Sequence, residues 1–413
     1  VLPDGDQQQK AIPRGGLLPF RRRLPLLGLL LGASLAARQA AAEEPPVQIA
    51  PGFVYVPGES GEVGCLPPGS IDTALLNVTE RSLDAVSLDP DFVVVLTAGV
   101  LTCPAIFYLP VKNDVSGIGY AHTEESELFD RAPDLRLQGV AFLNDLPYWQ
   151  EEQDEFETAF LHEIGHRWLA RVHASIDGED VDLTGRDGEH WSYFFDSGGS
   201  PLEGNVWLGG EGGAAPTAQT PAFPTRYSPF DLYLMGAYEA DEVPPSRLLA
   251  PSEHDLSGCD ERPLGAASPP QTCEALDVPG EFVPVDIEDV IRAEGPRSPS
   301  ASEAPTAFTV AFLLLDPGGK DYGTEQCESL AAWTERLIPL FGEATEGRFE
   351  LLNAVETGSA CEELILAAPP QTSGCQLTPR PPKTRAPLPF ASAVVLLVLG
   401  IWLRARWRRP GRG

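Results

Sequence analysis

Residues 151–173 read EEQDEFETAFLHEIGHRWLARVH, and the rest of the chain is best understood outward from this stretch. Phe156, Phe160, Leu161, Ile164, Trp168 and Leu169 recur at three- and four-residue steps, so the spacing predicts an amphipathic helix over 151–173. Acidic residues crowd its first turn and Arg167 and Arg171 its last, matching the helix dipole. The same stretch carries His162-Glu163-Ile164-Gly165-His166, the pattern H-E-x-x-H. A helix sets residues four apart on one face, about 6 Å apart along the axis, so both imidazoles can reach one metal. Neutral imidazole is a good zinc donor, and a catalytic zinc takes three protein ligands and a water. Glu163 stands beside the position of that water and can take its proton as general base. Arg167 departs from the usual pattern, which has an uncharged residue after the second histidine.

A third ligand must come from further along. His173 lies on roughly the same helix face as His166, but about 10 Å further along the axis, too far to share a metal bond. It reads instead as a cap at the helix C-terminus. Metzincins turn the chain with a glycine three residues after the second histidine, and here that residue is Leu169. The polar Asp/Gly stretch 174–189 lets the chain fold back, which makes His190 the preferred third ligand. Asp196 is the alternative and Glu203 follows it, since carboxylates also serve zinc hydrolases. Asp180, Asp182 and Asp187 offer oxygens for Ca²⁺, without the order of an EF-hand. Tyr193, Tyr227 and Tyr233 are candidates to stabilise an oxyanion, and aromatic core residues otherwise. His122 and His254 lie in loops and read as solvated.

LHEIGHRW (161–168), GRDGEHWSYFFDSGGSPLEGN (185–205) and YSPFDLYLMG (227–236) together carry a resemblance to uncharacterised exported zincin-like metallopeptidases of myxobacteria and related bacteria. The likeness spans about 136–238. It implies an α+β fold: a zincin-like metalloprotease domain with a mixed sheet, the H-E-x-x-H helix and loop-rich extensions. Metzincins also place a methionine turn beneath the metal; Met235, the chain's only methionine, is similar in order, with core packing as the other reading.

Both ends read as addresses. Arg21-Arg22-Arg23, an apolar run 24–31 and small residues up to Ala42 follow the order of a secretory signal. Near the other end, 391–403 is apolar and uncharged, with five arginines after it, as in a membrane anchor whose tail stays in the cytoplasm. Gly374-Cys375 ahead of it resembles the sorting signals of myxobacterial surface proteins, which implies a sorting peptidase acting near Cys375. The expected location is the cell surface of a Gram-negative bacterium, or the periplasm with an inner-membrane anchor.

Between 43 and 388, 18 basic residues face 58 acidic ones, a balance that repels phosphate backbones and argues against nucleic acid as a partner. Setting Cys375 aside leaves six cysteines, in keeping with three disulfides in an oxidising compartment; 65–103, 259–273 and 327–361 are the local pairings. The chain divides into an N-terminal extension with signal (1–42) and a strand-rich segment (43–130) that is a candidate pro-segment. A catalytic core (131–245) and an α/β extension (246–365) follow, then a Pro-rich linker (366–388) and the anchor or sorting tail (389–413). Strands are expected at 91–98, 103–110 and 135–144, a helix and turn within 226–238, mostly loop over 240–305, and a strand (308–315) and helix (329–340) after that.

The residues point to a surface-anchored zinc hydrolase, an endopeptidase first, with a non-catalytic surface-binding protein as the alternative and a hydrolase of cell-wall amides third. A non-catalytic adhesion protein on the same scaffold shares the ligands, and Glu163 argues against it.

Overall fold

FVVVLT at 92–97 is apolar at nearly every position, the pattern of a strand covered on both faces, and a sheet built from such strands organises the molecule. A computed structural model describes residues 47–363, except 58–72, 87, 99–105, 130–135, 211–213, 253–255, 259–261, 270–275, 317–322 and 356–357. In chain order the first elements are β1 (Gln48–Ala50), β2 (Phe53–Pro57), α1 (Thr73–Leu83), β3 (Phe92–Thr97), β4 (Phe107–Pro110), β5 (Lys112–Asn113) and β6 (Thr123–Glu124). The middle of the chain forms β7 (Gly139–Asp145), α2 (Leu146–Glu151), α3 (Gln153–Gly165), β8 (His173–Ile176), β9 (Glu179–Asp182), β10 (Trp191–Asp196), β11 (Glu203–Leu208), β12 (Thr217–Gln219) and α4 (Pro229–Met235). The last part supplies β13 (Ser246–Pro251), β14 (Leu276–Asp277), β15 (Gly280–Val285), α5 (Ile287–Glu294), β16 (Ala307–Asp316), α6 (Thr324–Ala344) and β17 (Glu350–Asn353). The architecture is α+β with several sheets.

The main sheet runs β1-β2-β16-β3-β7-β4, with β17 also paired to β16. Its centre is parallel, while β1 and β4 are antiparallel to their neighbours. Alternate residues of each central strand serve opposite cores. Phe92, Val94, Leu96, Phe312 and Leu314 face one side with α3 and α6. Val93, Val95, Ala311 and Leu313 face the other, with Leu76 and Leu83 of α1. On the first side Phe160 of α3 stacks on Phe312, Trp168 meets Phe92 and Phe308 edge-on, and Phe156 packs on Trp333 of α6. A second sheet, β14-β12-β11-β10-β13-β15, joins this core through Trp191 and Phe195 of β10. Tyr193 and Phe194 of the same strand face the sheet's own cluster with Trp207.

The structure corrects several expectations. α3 ends at Gly165 rather than near 173: the chain turns through Ala170 at φ 60°, and His173 opens β8. His173 is therefore no helix cap; its backbone N–H and ring bond Glu294 of α5. The polar stretch after it is a hairpin, β8–β9, turned at Asp177-Gly178 with φ of 52° and 85°, the signature of a two-residue turn that Asp-Gly favours. Within 240–305, expected to be mostly loop, β13 pairs with β15 and α5 follows. α1 was not foreseen.

β2 and β3, from the candidate pro-segment, flank β16 from the C-terminal extension, so these two segments contribute strands to one sheet. Cys327 and Cys361 form a disulfide. The other two pairings, Cys375, His254, the signal and the tail lie outside the described residues. Among the described residues no helix is long and apolar enough to cross a membrane.

Candidate metal centre

The helix places His162 and His166 one turn apart at its C-terminal end. His190 arrives from the second sheet, immediately before β10, and the strand positions it. Trp191 N–H donates to the Leu202 carbonyl, and its indole N–H donates to the buried carboxylate of Asp231 on α4 (2.7 Å). Asp231 also accepts from Ser228 N–H at 2.8 Å and from the Ser200 hydroxyl. Ser200 precedes Pro201, whose carbonyl accepts from His162 Nδ1 at 2.8 Å. One carboxylate thus ties together the neighbours of two imidazoles. Gly165 lets this loop close on the helix: a Cβ there would come within 2.5 Å of Leu202 Cδ2.

The Nε2 atoms of His166 and His190 lie 3.2 and 3.1 Å from His162 Nε2. All three ligand atoms fall within 4.8 Å of one another, and they form the one group of this kind among the described residues. With Nδ1 of His162 and of His190 donating to the carbonyls of Pro201 and Arg186, the Nε2 of each neutral ring bears a lone pair. Two such lone pairs cannot hydrogen-bond each other; that of His190 meets Arg186 Nη2 at 2.8 Å, and a cation between the rings would serve both. Tetrahedral zinc with Zn–N near 2.0–2.1 Å separates its nitrogens by about 3.3 Å, which matches the two spacings from His162. Burial, and the proximity of His190, hold His162 down to about 3. Burial and Arg186 do the same to His190, also to about 3, and burial keeps His166 well below the ordinary range. Three neutral imidazoles are what a metal needs.

Glu163 is 2% exposed, and among the described residues its Oε2 has no hydrogen-bond partner. Burial pushes its carboxyl up to about 8, opposed by Arg186. An unsatisfied buried carboxyl oxygen is costly to keep, and here it lies beside the imidazole cluster, which makes Glu163 a candidate functional group.

The alternative ligands fall differently. Asp196 is turned to Arg247 (Oδ2 to Nε, 3.0 Å) and to Trp207 N–H. Glu203 is closer, with Oε1 4.0 Å from His190 Nε2, but that oxygen accepts from Arg186 at 2.6 Å. Asp180 and Asp182 lie on β9, Asp187 in the turn before His190, and they form no ligand group with one another. Tyr227 donates to the Leu161 carbonyl, Tyr233 accepts from Arg297 N–H, and Tyr193 lies in the second sheet's core. Met235 is buried at the end of a helix, not in a turn, its carbonyl bound by Arg297. His122 is exposed.

Arg167, the odd residue of the motif, points away from the imidazoles. It is 2% exposed and donates to Gln138, Asn113 and Asp114, tying the helix end to the segments around β5 and β7. Arg171 donates to the carbonyl of His166, the residue that caps α3, and to that of Leu169 in the turn beyond it. Arg186 was not singled out from sequence, although GRDGEHW places it four residues before His190. The chain matches no protein-family model, no curated protein and no solved structure.

Proposed function

We propose that the chain is a zinc-dependent hydrolase of zincin type acting on peptide bonds. The observation that carries this reading is the convergence of three neutral Nε2 atoms beside the unpartnered carboxyl oxygen of Glu163. His162, His166 and His190 would hold the ion. Zinc supplies a Lewis acid and lowers the pKa of a bound water toward about 7. Glu163 takes the proton of the attacking water as it adds to the carbonyl carbon. It then delivers that proton to the amine nitrogen as the C–N bond breaks. Burial favours the protonated form of this carboxyl, which suits it to holding the proton and handing it on.

A peptide substrate is favoured by the sheet edge. β4 is the antiparallel border strand, packs near α3, and among the described residues pairs only with β7. Such an edge offers backbone groups to an extended chain. The disulfide is in keeping with an oxidising compartment, and we place the protein outside the cytoplasm, anchored through 389–403.

The test is zinc stoichiometry of the purified chain together with cleavage of casein or a peptide library, compared with Glu163→Gln. One zinc per chain is expected, with turnover lowered on the order of 10²–10⁴-fold in the variant and the metal retained. Full zinc occupancy without cleavage by the unmutated protein would leave a binding protein on this scaffold. Absence of zinc would remove the site.

A further inference from the structure

Arg186 approaches the centre twice. Its carbonyl accepts from His190 Nδ1 at 2.9 Å, which sets the ring's tautomer and direction. Its side chain folds back over the same ring, bringing Nη2 to 2.8 Å from His190 Nε2, the atom that faces the other two imidazoles. Nε and Nη2 both donate to Glu203 Oε1, at 3.0 and 2.6 Å, so the guanidinium is held in place rather than free to swing. Its side chain is 23% exposed, and that of Glu203 is 9% exposed.

A fixed positive charge beside a cation site opposes the cation unless it serves something negative there. Glu203 offsets the charge in part. The remaining argument is one of donors. Guanidinium has five N–H groups. Nε–H and one Nη2–H are committed to Glu203, and the other Nη2–H meets the lone pair of His190 Nε2. When that lone pair binds a metal, this N–H loses its acceptor while still pointing at the centre. The tyrosines considered above have their hydroxyls engaged elsewhere or lie in the second sheet's core, and Arg171 is engaged with helix carbonyls. We infer that Arg186 is the anion-binding group of the site, donating to a negatively charged oxygen of the ligand, whether a carboxylate or the oxyanion of a carbonyl under attack. This rests on the metal-binding reading above.

The test uses the full chain loaded with Co²⁺, whose visible spectrum reports its ligands, and inorganic phosphate as the probe anion. Any substitution at 186 keeps the backbone carbonyl that orients His190. Arg186→Gln is expected to bind Co²⁺ as well as the unmutated protein or better, and to bind phosphate about 10–100-fold more weakly. Arg186→Lys should fall between the two. Glu203→Gln, which releases the guanidinium from its partner, should tighten phosphate binding, a direction that misfolding does not mimic. Unchanged phosphate affinity in Co²⁺-loaded Arg186→Gln overturns this inference and leaves the metal site standing. Failure of the unmutated chain to take up Co²⁺ overturns both.

Discussion

Two of the three imidazoles ride on a helix and the third on the approach to a strand, and the two sides are held by different forces. The helix side is apolar. Phe156, Phe160 and Trp168 wedge α3 against the main sheet and α6, and burial fixes the helix without reference to the metal. The strand side is polar. His190 is oriented by a carbonyl, its neighbour Trp191 by a buried carboxylate, and that carboxylate also reaches the loop that orients His162. Helix geometry alone brings two imidazoles together, whereas the third depends on hydrogen bonds between segments distant in sequence.

That contrast can be broken from either side. The largest stability effect is expected on the helix side. Phe160→Ala should cost about 3–5 kcal/mol in urea unfolding, because it opens a cavity between α3 and β16. Zinc affinity of the folded fraction should change little. Asp231→Asn attacks the strand side. An amide can still accept from Trp191, but it then turns its NH₂ toward the backbone N–H of Ser228. About 1–3 kcal/mol of stability should go, and here zinc affinity should fall about 10–100-fold, as outer partners of metal ligands do. If the two variants moved affinity equally, the division into an apolar and a polar side would fail.

Gly165→Ala probes the seam between the sides. A methyl group pressing on Leu202 should cost about 1–3 kcal/mol and shift Pro201 away from His162, measurable as weaker zinc binding in competition with a chelator.

The smallest effect is a pH dependence of the metal-free protein. Glu163 is raised to about 8 in the fold, from 4.5, so the fold holds a proton that the unfolded chain releases. Its contribution is present below 4.5 and lost as pH rises through 8. His162 and His190 act the opposite way: their contribution is present above 6.5 and lost as pH falls toward about 3. Glu163→Gln removes only the carboxyl's contribution. The Tm advantage of the metal-free variant over the unmutated protein should therefore grow between pH 5 and pH 8.5, by a few degrees. A constant difference across that range would contradict the burial argument.

What could be read from sequence follows the same division. The helix and its H-E-x-x-H pattern were legible because a 3.6-residue period is a local property. The end of α3 was not, since Trp168 and Leu169 continue the apolar period through a turn that is itself buried. His190 was accessible by elimination and loop length. Arg186 and Asp231 were not, because their roles arise from the pairing of β10 with the 202–205 segment and from α4 beneath it, which no short window contains. The β8–β9 hairpin had a usable signal in Asp177-Gly178, obscured by the polarity of its strands.

β16 fills the slot between β2 and β3, yet it leaves the ribosome roughly two hundred residues after them. Its Phe312 is also part of the floor on which α3 rests. During synthesis, therefore, the two helical histidines emerge well before the surface that holds their helix in place. The site has a built-in delay: an incomplete chain carries the motif without the floor that steadies it, and the three imidazoles are held together only when one late strand closes the sheet.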